Sequence, residues 1–444
     1  MRVALKHFAL AISLAWLAGC ATGPQAPVKR EAATSPAFTE AHQLAQTDAR
    51  GNTARIEALL ASLDDAALSR HTIALAANDP LYPIAGRAML NRGLTPPHPF
   101  DHGWKFDDRA PADRDGYRPP RKLAVLLPLS GSLAAAAKPV RDGLLAGYYA
   151  ETRARPPIVF YDSAPGAMAA YQRAVGEGAD FVIGPLDRNG VEALFTHGAL
   201  PVPMLGLNRG HANPPAGSTS FSLAPEDEGV AAAEFLMSRK APRVLVLLAA
   251  GDDTMRRTAN AFRERLNARG GEVVEMITLA GDNAGLPGAL AGAVAKGEIN
   301  ALYFAARGEQ ARAAMPFIQQ QPALAGARRM AVSQIANGAG DAEQAALLDG
   351  IVFPSEALRS GHLPGLPVNP GALTPTARGA AGRLFAFGYD AWLITAYLER
   401  LANPREGGLA GATGTLRLDG FGNVLRTPGW SELRGGVAMP YGVR

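Results

Sequence analysis

The 444-residue sequence holds a single cysteine, Cys20. No disulfide can form within one chain, so the fold must rest on its hydrophobic core. Histidine is sparse, eight in all, and scattered along the chain. The sequence has no Gly-x-Ser-x-Gly, Ser-x-x-Lys, His-Glu-x-x-His or P-loop, which removes the common nucleophile, zinc and phosphate-loop chemistries. No metal and no cofactor is expected. Beyond the first twenty residues no apolar run is long enough to cross a bilayer. Strong charge is lacking too: the net +4 falls to +2 if Arg2 and Lys6 leave with an amino-terminal signal that carries no acid. So balanced a chain offers nucleic acid no basic footprint.

What is present begins at the amino terminus. Arg2 and Lys6 precede an apolar, uncharged stretch from Phe8 to Leu17, which ends in Leu17-Ala18-Gly19-Cys20. This is the layout of a signal peptide over 1–19, and the tetrapeptide resembles the bacterial lipobox, in which the cysteine thiol takes the lipid. Two or more acyl chains anchor stably, at about 0.8 kcal/mol per buried methylene. Ala21 stands where a retention signal for the inner membrane would place Asp. The expectation is therefore an outer-membrane lipoprotein facing the periplasm, with residues 20–36 as a lipidated tether.

From 37 to 93 the pattern is helical, with Ile56, Leu59, Leu60 and Leu63 on one stripe; two to four short helices are expected. Residues 94–120 interleave six prolines with five aspartates and read as a solvated linker, in which Trp104, Phe106 and Tyr117 could clip onto a neighbour. From 121 to 444 short all-apolar runs alternate with helical segments. Leu123–Leu129, Ile158–Tyr161, Phe181–Ile183 and Val202–Leu207 form one set, and Val244–Leu248, Val273–Leu279, Ala301–Phe304, Met330–Ser333 and Ile351–Phe353 a second. That alternation predicts an α/β fold of two doubly wound, Rossmann-like lobes across a cleft. A helix through Leu384, Phe387, Ala391, Ile394 and Leu398 follows, then a Gly-turned hairpin near 416–425.

Several segments are recognisable in order: Ala124–Gly131, Val140–Gly143, Phe160–Asp162, Ala179–Leu186, Pro203–Arg209 and Phe387–Asp390. Together they resemble the carboxy-terminal domain of the penicillin-binding-protein activator family (LpoA, or LppC, lipoproteins) over about 121–444. The resemblance implies a type I periplasmic-binding-protein fold joined by three crossovers. It also implies a non-catalytic outer-membrane partner that stimulates a bifunctional penicillin-binding protein, a peptidoglycan synthase. Well-known members carry a long helical-repeat domain where this chain has only a short helical segment.

In type I binding folds the candidate cleft residues are Ser130 and Gly131, Asp162, Asn208, and Tyr389 with Asp390. Ser130 and Gly131 sit at the turn before the helix bearing Lys138, Arg141 and Asp142; open α/β sheets hold ligands at such strand ends and helix starts. The same residues also serve as turn and cap chemistry, and Asp252-Asp253-Thr254 reads as a cap. Three functions stay open. They are a synthase activator, a lipid-anchored receptor for an amino acid, peptide or muropeptide in the cleft, and a cell-wall hydrolase or transferase, since carboxylate pairs leave no local signature.

Overall fold

The computed structural model describes residues 35–336 and 342–442, apart from 357, 359–365, 368 and 373. The lipobox, Cys20 and most of the tether lie outside the described residues.

Four helices open the fold: α1 (Pro36–Asp48), α2 (Thr53–Ala61), α3 (Asp65–Ile73) and α4 (Tyr82–Asn91). Asp64 caps α3 by accepting from the Ala67 amide at 2.6 Å, as a helix start favours. Their apolar stripes meet in a small core of Ile56, Leu60, Leu68, Ile84 and Met89. So small a unit is marginal alone, and its core draws on Phe421 and Leu425 from the far end of the chain.

Residues 94–120 carry no helix or strand, yet they differ from the expected solvated linker. Phe100 is only 5% exposed and Tyr117 only 4%. Phe100 packs beside Tyr82 in the helical core, while Tyr117 enters the next core and donates its hydroxyl to the Ala154 carbonyl at 2.9 Å. Two of the five aspartates that suggested solvation are ion-pair partners: Asp113 and Asp115 both meet Arg153, at 3.1 and 2.9 Å. A few anchoring aromatics fix the segment where average composition predicts disorder.

The first lobe follows: β1 (Leu123–Leu127), α5 (Ala134–Ala150), β2 (Ile158–Asp162), α6 (Ala167–Gly176), β3 (Phe181–Ile183), α7 (Arg188–Thr196), β4 (Met204–Gly206) and β5 (Thr219–Ser220). These strands form an all-parallel sheet in the order β2-β1-β3-β4-β5. Every residue of β1 is buried, as a strand covered on both faces requires.

The second lobe comprises α8 (Pro225–Ser238), β6 (Arg243–Ala249), α9 (Asp253–Ala268), β7 (Glu272–Leu279), α10 (Leu286–Ala295), β8 (Ala301–Ala305), α11 (Gly308–Gln319), β9 (Arg328–Ala331), α12 (Ala342–Ala346) and β10 (Val352–Ser355). Asp252 caps α9 through the Met255 amide at 3.2 Å. The chain then returns to the first lobe with α13 (Gly379–Ala396) and α14 (Leu398–Ala402). The short sheet β11 (Leu409–Ala410), β12 (Thr415–Leu418) and β13 (Val424–Thr427) contains the expected hairpin. It crosses a third time to β14 (Gly429–Arg434) and β15 (Val437–Pro440). By its apolar runs alone the second sheet ends at Ile351–Phe353. In the fold β14 pairs antiparallel with β10, and β15 with β14, extending the order to β15-β14-β10-β9-β8-β6-β7.

Two helices of the first lobe cross at backbone contact. A Cβ on Gly143 of α5 would lie 1.8 Å from the Phe385 carbonyl oxygen, and one on Gly388 of α13 would lie 1.9 Å from that of Val140. Glycine is required at both positions because the partner backbone occupies the space of a side chain.

Candidate functional site

Three of the residues proposed from sequence converge at the carboxy-terminal ends of β1 and β2. Gly131 turns the chain with φ +73°. Ser130 donates its hydroxyl to Asp162 Oδ2 at 2.6 Å, and the Leu129 and Ala164 amides donate to Oδ1 at 2.9 and 3.0 Å. The Ser130 hydrogen bond, then those amides, hold the Asp162 carboxyl below its ordinary range. At this exposed turn the Ser130 hydroxyl and two backbone amides are thus engaged by an internal carboxylate.

On α5, Lys138 reaches Asp142 at 2.7 Å, and Thr376 from the second crossover donates to the same carboxylate at 2.9 Å. Arg141 stands 3.7 Å from Asp142. Burial opposes ionisation of Asp142, but these donors outweigh it and lower its pKa. Asn208, beyond β4, donates to the Leu186 carbonyl at 3.0 Å and accepts from the Arg209 amide at 2.9 Å; it works as a turn lock.

Tyr389 and Asp390 are not at the cleft. Tyr389 is buried with Leu358, Phe385 and Ala412. Asp390 is fully buried and accepts from the Ala412 amide at 2.5 Å, the Thr413 amide at 2.8 Å and the Thr413 hydroxyl at 2.5 Å. Burial pushes its carboxyl up to about 7 against those three donors. An acid in mid-helix reads from sequence as solvent-facing; here it fastens α13 to the loop before β12.

An ion network with no signature in the sequence stands where the lobes meet. Glu228, in the first turn of α8, is 5% exposed. It pairs with Arg383 of α13 at 2.5 Å and accepts from the Ser333 amide and hydroxyl at 3.0 and 2.9 Å. Arg383 also donates to the Ser333 hydroxyl at 2.9 Å and lies 3.7 Å from Glu356. Burial would raise the Glu228 carboxyl, but Arg383 and Arg426 with the Ser333 donors hold it low. The partners lie far apart in sequence and on opposite lobes, so no local motif announces them. The arrangement binds lobe to lobe. Among the described residues no group of His, Cys, Asp and Glu could hold a metal ion, and no helix is long and apolar enough to cross a membrane.

Comparison with known proteins agrees with this architecture. Penicillin-binding protein activator LpoA of Dickeya chrysanthemi (strain Ech1591) is 26% identical over 336 residues, 66% of this chain and 48% of that protein. Its counterpart in Escherichia coli (strain K12) is 24% identical over 305 residues, 60% of this chain and 44% of that one. The chain spans about half the length of these curated relatives. Among solved structures, the LpoA (YraM) C-domain of Haemophilus influenzae, described as a regulator of PBP1A, superposes with a TM-score of 0.60. It does so at 21% identity, over 72% of this chain and 99% of that one. Full-length LpoA of the same organism gives 0.62 at 19% identity, over 91% of this chain and 70% of that one. A putative branched-chain amino acid ABC transporter protein from Chromobacterium violaceum gives 0.56 at 25% identity, over 70% and 99%. The two-lobed fold is thus the periplasmic-binding-protein-like one. Residues 117–292 and 283–436 match the family described as LppC putative lipoprotein, and to that family this chain belongs.

Proposed function

We propose that this protein is a non-catalytic activator of a bifunctional penicillin-binding protein, held by lipid on Cys20 at the periplasmic face of the outer membrane. The observation that carries the reading is the match, over about two thirds of this chain, to proteins named penicillin-binding protein activators. The lipobox-like Leu17–Cys20 supports the anchor. The activator would bind one conformation of its synthase more tightly than another and so raise that conformation's population.

Internal bracing separates this reading from a solute receptor. A receptor that closes on its ligand needs lobes free to swing. Here Glu228 and Arg383 join the lobes at a buried pair. The helical unit also reaches both lobes, through Arg87 over the Phe421 ring at 4.3 Å and through Asp65 to Arg269 at 3.3 Å. The receptor reading retains the fold likeness to the Chromobacterium protein, but Tyr389 and Asp390 face the core instead of a ligand.

The test is reconstitution. The full chain, purified in detergent, is mixed with a bifunctional penicillin-binding protein, and glycan polymerisation and peptide cross-linking are followed. Binding with a faster reaction is expected; no binding and no rate change would overturn the proposal. Calorimetry with amino acids and muropeptides tests the receptor alternative. Loss of membrane fractionation in Cys20→Ser tests the anchor.

A further inference from the structure

A cavity of about 790 Å³ lies where the helical unit meets both lobes. Its walls come from the end of α4, the segment 209–213, one face of α8, Arg269 after α9, and the segment 423–430. Neither Ser130 nor Asp162 borders it.

The charges around it are unevenly satisfied. Its carboxylates are engaged. Glu226 is held by Arg257 at 2.7 and 2.9 Å, Glu234 by Arg265 and Arg269, and Asp65 by Arg92 and Arg269. Its guanidiniums are less fully met. Arg92 and Arg269 are ion-paired but each leaves a buried Nε without an acceptor. Arg209, whose pKa Asp227, Asp419 and Glu226 raise, and Arg426 have buried donors to spare. Arg209 gives Nη1 to Asp227 at 3.2 Å, while its Nε and Nη2 are buried without a protein acceptor. Among the described residues Arg426 has no carboxylate within the 4.0 Å of an ion pair. Its Nη1 reaches only the Thr413 carbonyl, at 3.4 Å, and its Nε is buried without an acceptor. Burial and the neighbouring Arg383 lower the Arg426 pKa, and the more distant Glu228, Asp227 and Glu356 only partly oppose them. Unmet buried donors are costly, and the planar guanidinium fork suits a carboxylate or phosphate. Beside them the wall turns apolar, with Leu90, Val230 and Trp430, whose ring packs on Phe235 at 4.5 Å.

We infer that this cavity is a binding site for a small ligand carrying an oxyanion, carboxylate or phosphate, received by Arg209 and Arg426, with an apolar portion against Trp430. Because three parts of the fold build the walls, an occupant ties the helical unit to both lobes. The inference does not rest on the activator reading, and its test contains no synthase.

The test is calorimetric titration of the full chain with benzoate, phenyl phosphate and uncharged benzyl alcohol. Both anions, or one of them, should bind while the alcohol does not; which anion binds more tightly separates a carboxylate ligand from a phosphate one. Arg209→Gln and Arg426→Gln should each weaken binding by about tenfold or more. Arg256→Gln, on the exposed face of α9, should leave it unchanged. Trp430 emission should respond to the bound anion, and that response should vanish in Trp430→Phe. Should Arg426→Gln not fold, the partly exposed Arg209→Gln decides the matter alone. No anion binding up to about 10 mM, a range that covers even weak sites, would overturn the inference. Equal binding by Arg209→Gln and the parent would do the same.

Discussion

Arg92 and Arg269, one from the helical unit and one from the second lobe, donate to the same carbonyl oxygen, that of Leu63, at 2.8 and 3.1 Å. They also share Ala61 O, at 3.2 and 3.4 Å, and Asp65 Oδ1, at 3.1 and 3.3 Å. The acceptors lie at and just beyond the carboxy-terminal end of α2, where unpaired carbonyls and the helix dipole favour cations. Burial, and then Arg269 beside it, lowers the Arg92 pKa, so the junction holds two like charges together by the carbonyls and Asp65 between them.

Arg269→Ala should therefore loosen the docking of the helical unit without unfolding the lobes. The expected cost is about 1–2 kcal/mol, seen as faster amide exchange at the end of α2 while β6 and β8 stay protected. Arg92→Ala should cost more, about 2–3 kcal/mol, because its side chain is 1% exposed and serves only this junction. Unchanged exchange in Arg269→Ala would show that the shared carbonyl does not hold the unit in place.

The crossing of α5 and α13 tolerates no side chain at its centre. Gly143→Ala or Gly388→Ala would drive a methyl into a carbonyl oxygen of the facing helix. Side chains can adjust to overpacking, but backbone against backbone cannot give. Each substitution should cost about 3 kcal/mol, measured by denaturant unfolding. Gly288→Ala on α10, where a Cβ meets nothing within 4 Å, should be neutral or slightly stabilising.

Such crossings explain which parts of this fold were legible in advance. The runs at β1 and β8 are buried along their whole length, so composition alone marked them as covered strands. The Gly-rich turn between β12 and β13 announced its hairpin in the same way. The segment 94–120 hid its order, because Phe100 and Tyr117 decide its position while prolines and aspartates dominate its composition. The short strand β14 finds its partner β10 between 74 and 80 residues earlier, and no local pattern encodes that pairing. Ser130 and Asp162 stand at strand ends, as the alternation implies, but the hydrogen bond between them joins two segments that no local pattern pairs. Glu228 and Arg383 escaped notice for the reason β14 did: their meeting is a property of the assembled lobes.

Glu228 gives that meeting a pH signature. Its carboxyl is held below the usual range in the fold, so the pair contributes stability above the unfolded value near 4.5 and loses it as pH falls through the lowered folded value. Glu228→Gln leaves Arg383 with only Glu356, at 3.7 Å, and removes the strongest carboxylate acting on Arg426; it should cost about 3 kcal/mol at pH 7. Its stability should also fall less steeply than the parent's below about pH 4.5. Parallel acid limbs in thermal unfolding of the two proteins would mean that Glu228 is not ionised in the fold.

Asp390 predicts the opposite slope. Burial raises its carboxyl from 3.8 to about 7, so above neutrality the fold carries an ionised group that it disfavours. As pH falls from about 7 toward about 4, the folded chain takes up a proton that the unfolded chain does not, and stability attributable to this residue rises. A shift of this size corresponds to about 4 kcal/mol across the window. Asp390→Asn cannot titrate there, so the parent should gain stability relative to the variant as pH is lowered, whichever is the more stable at pH 8. Urea unfolding of both proteins at pH 8, 6.5 and 5 measures the trend. A difference that stays constant across those values would place the proton elsewhere and leave the three donors at Ala412 and Thr413 holding an ordinary carboxylate.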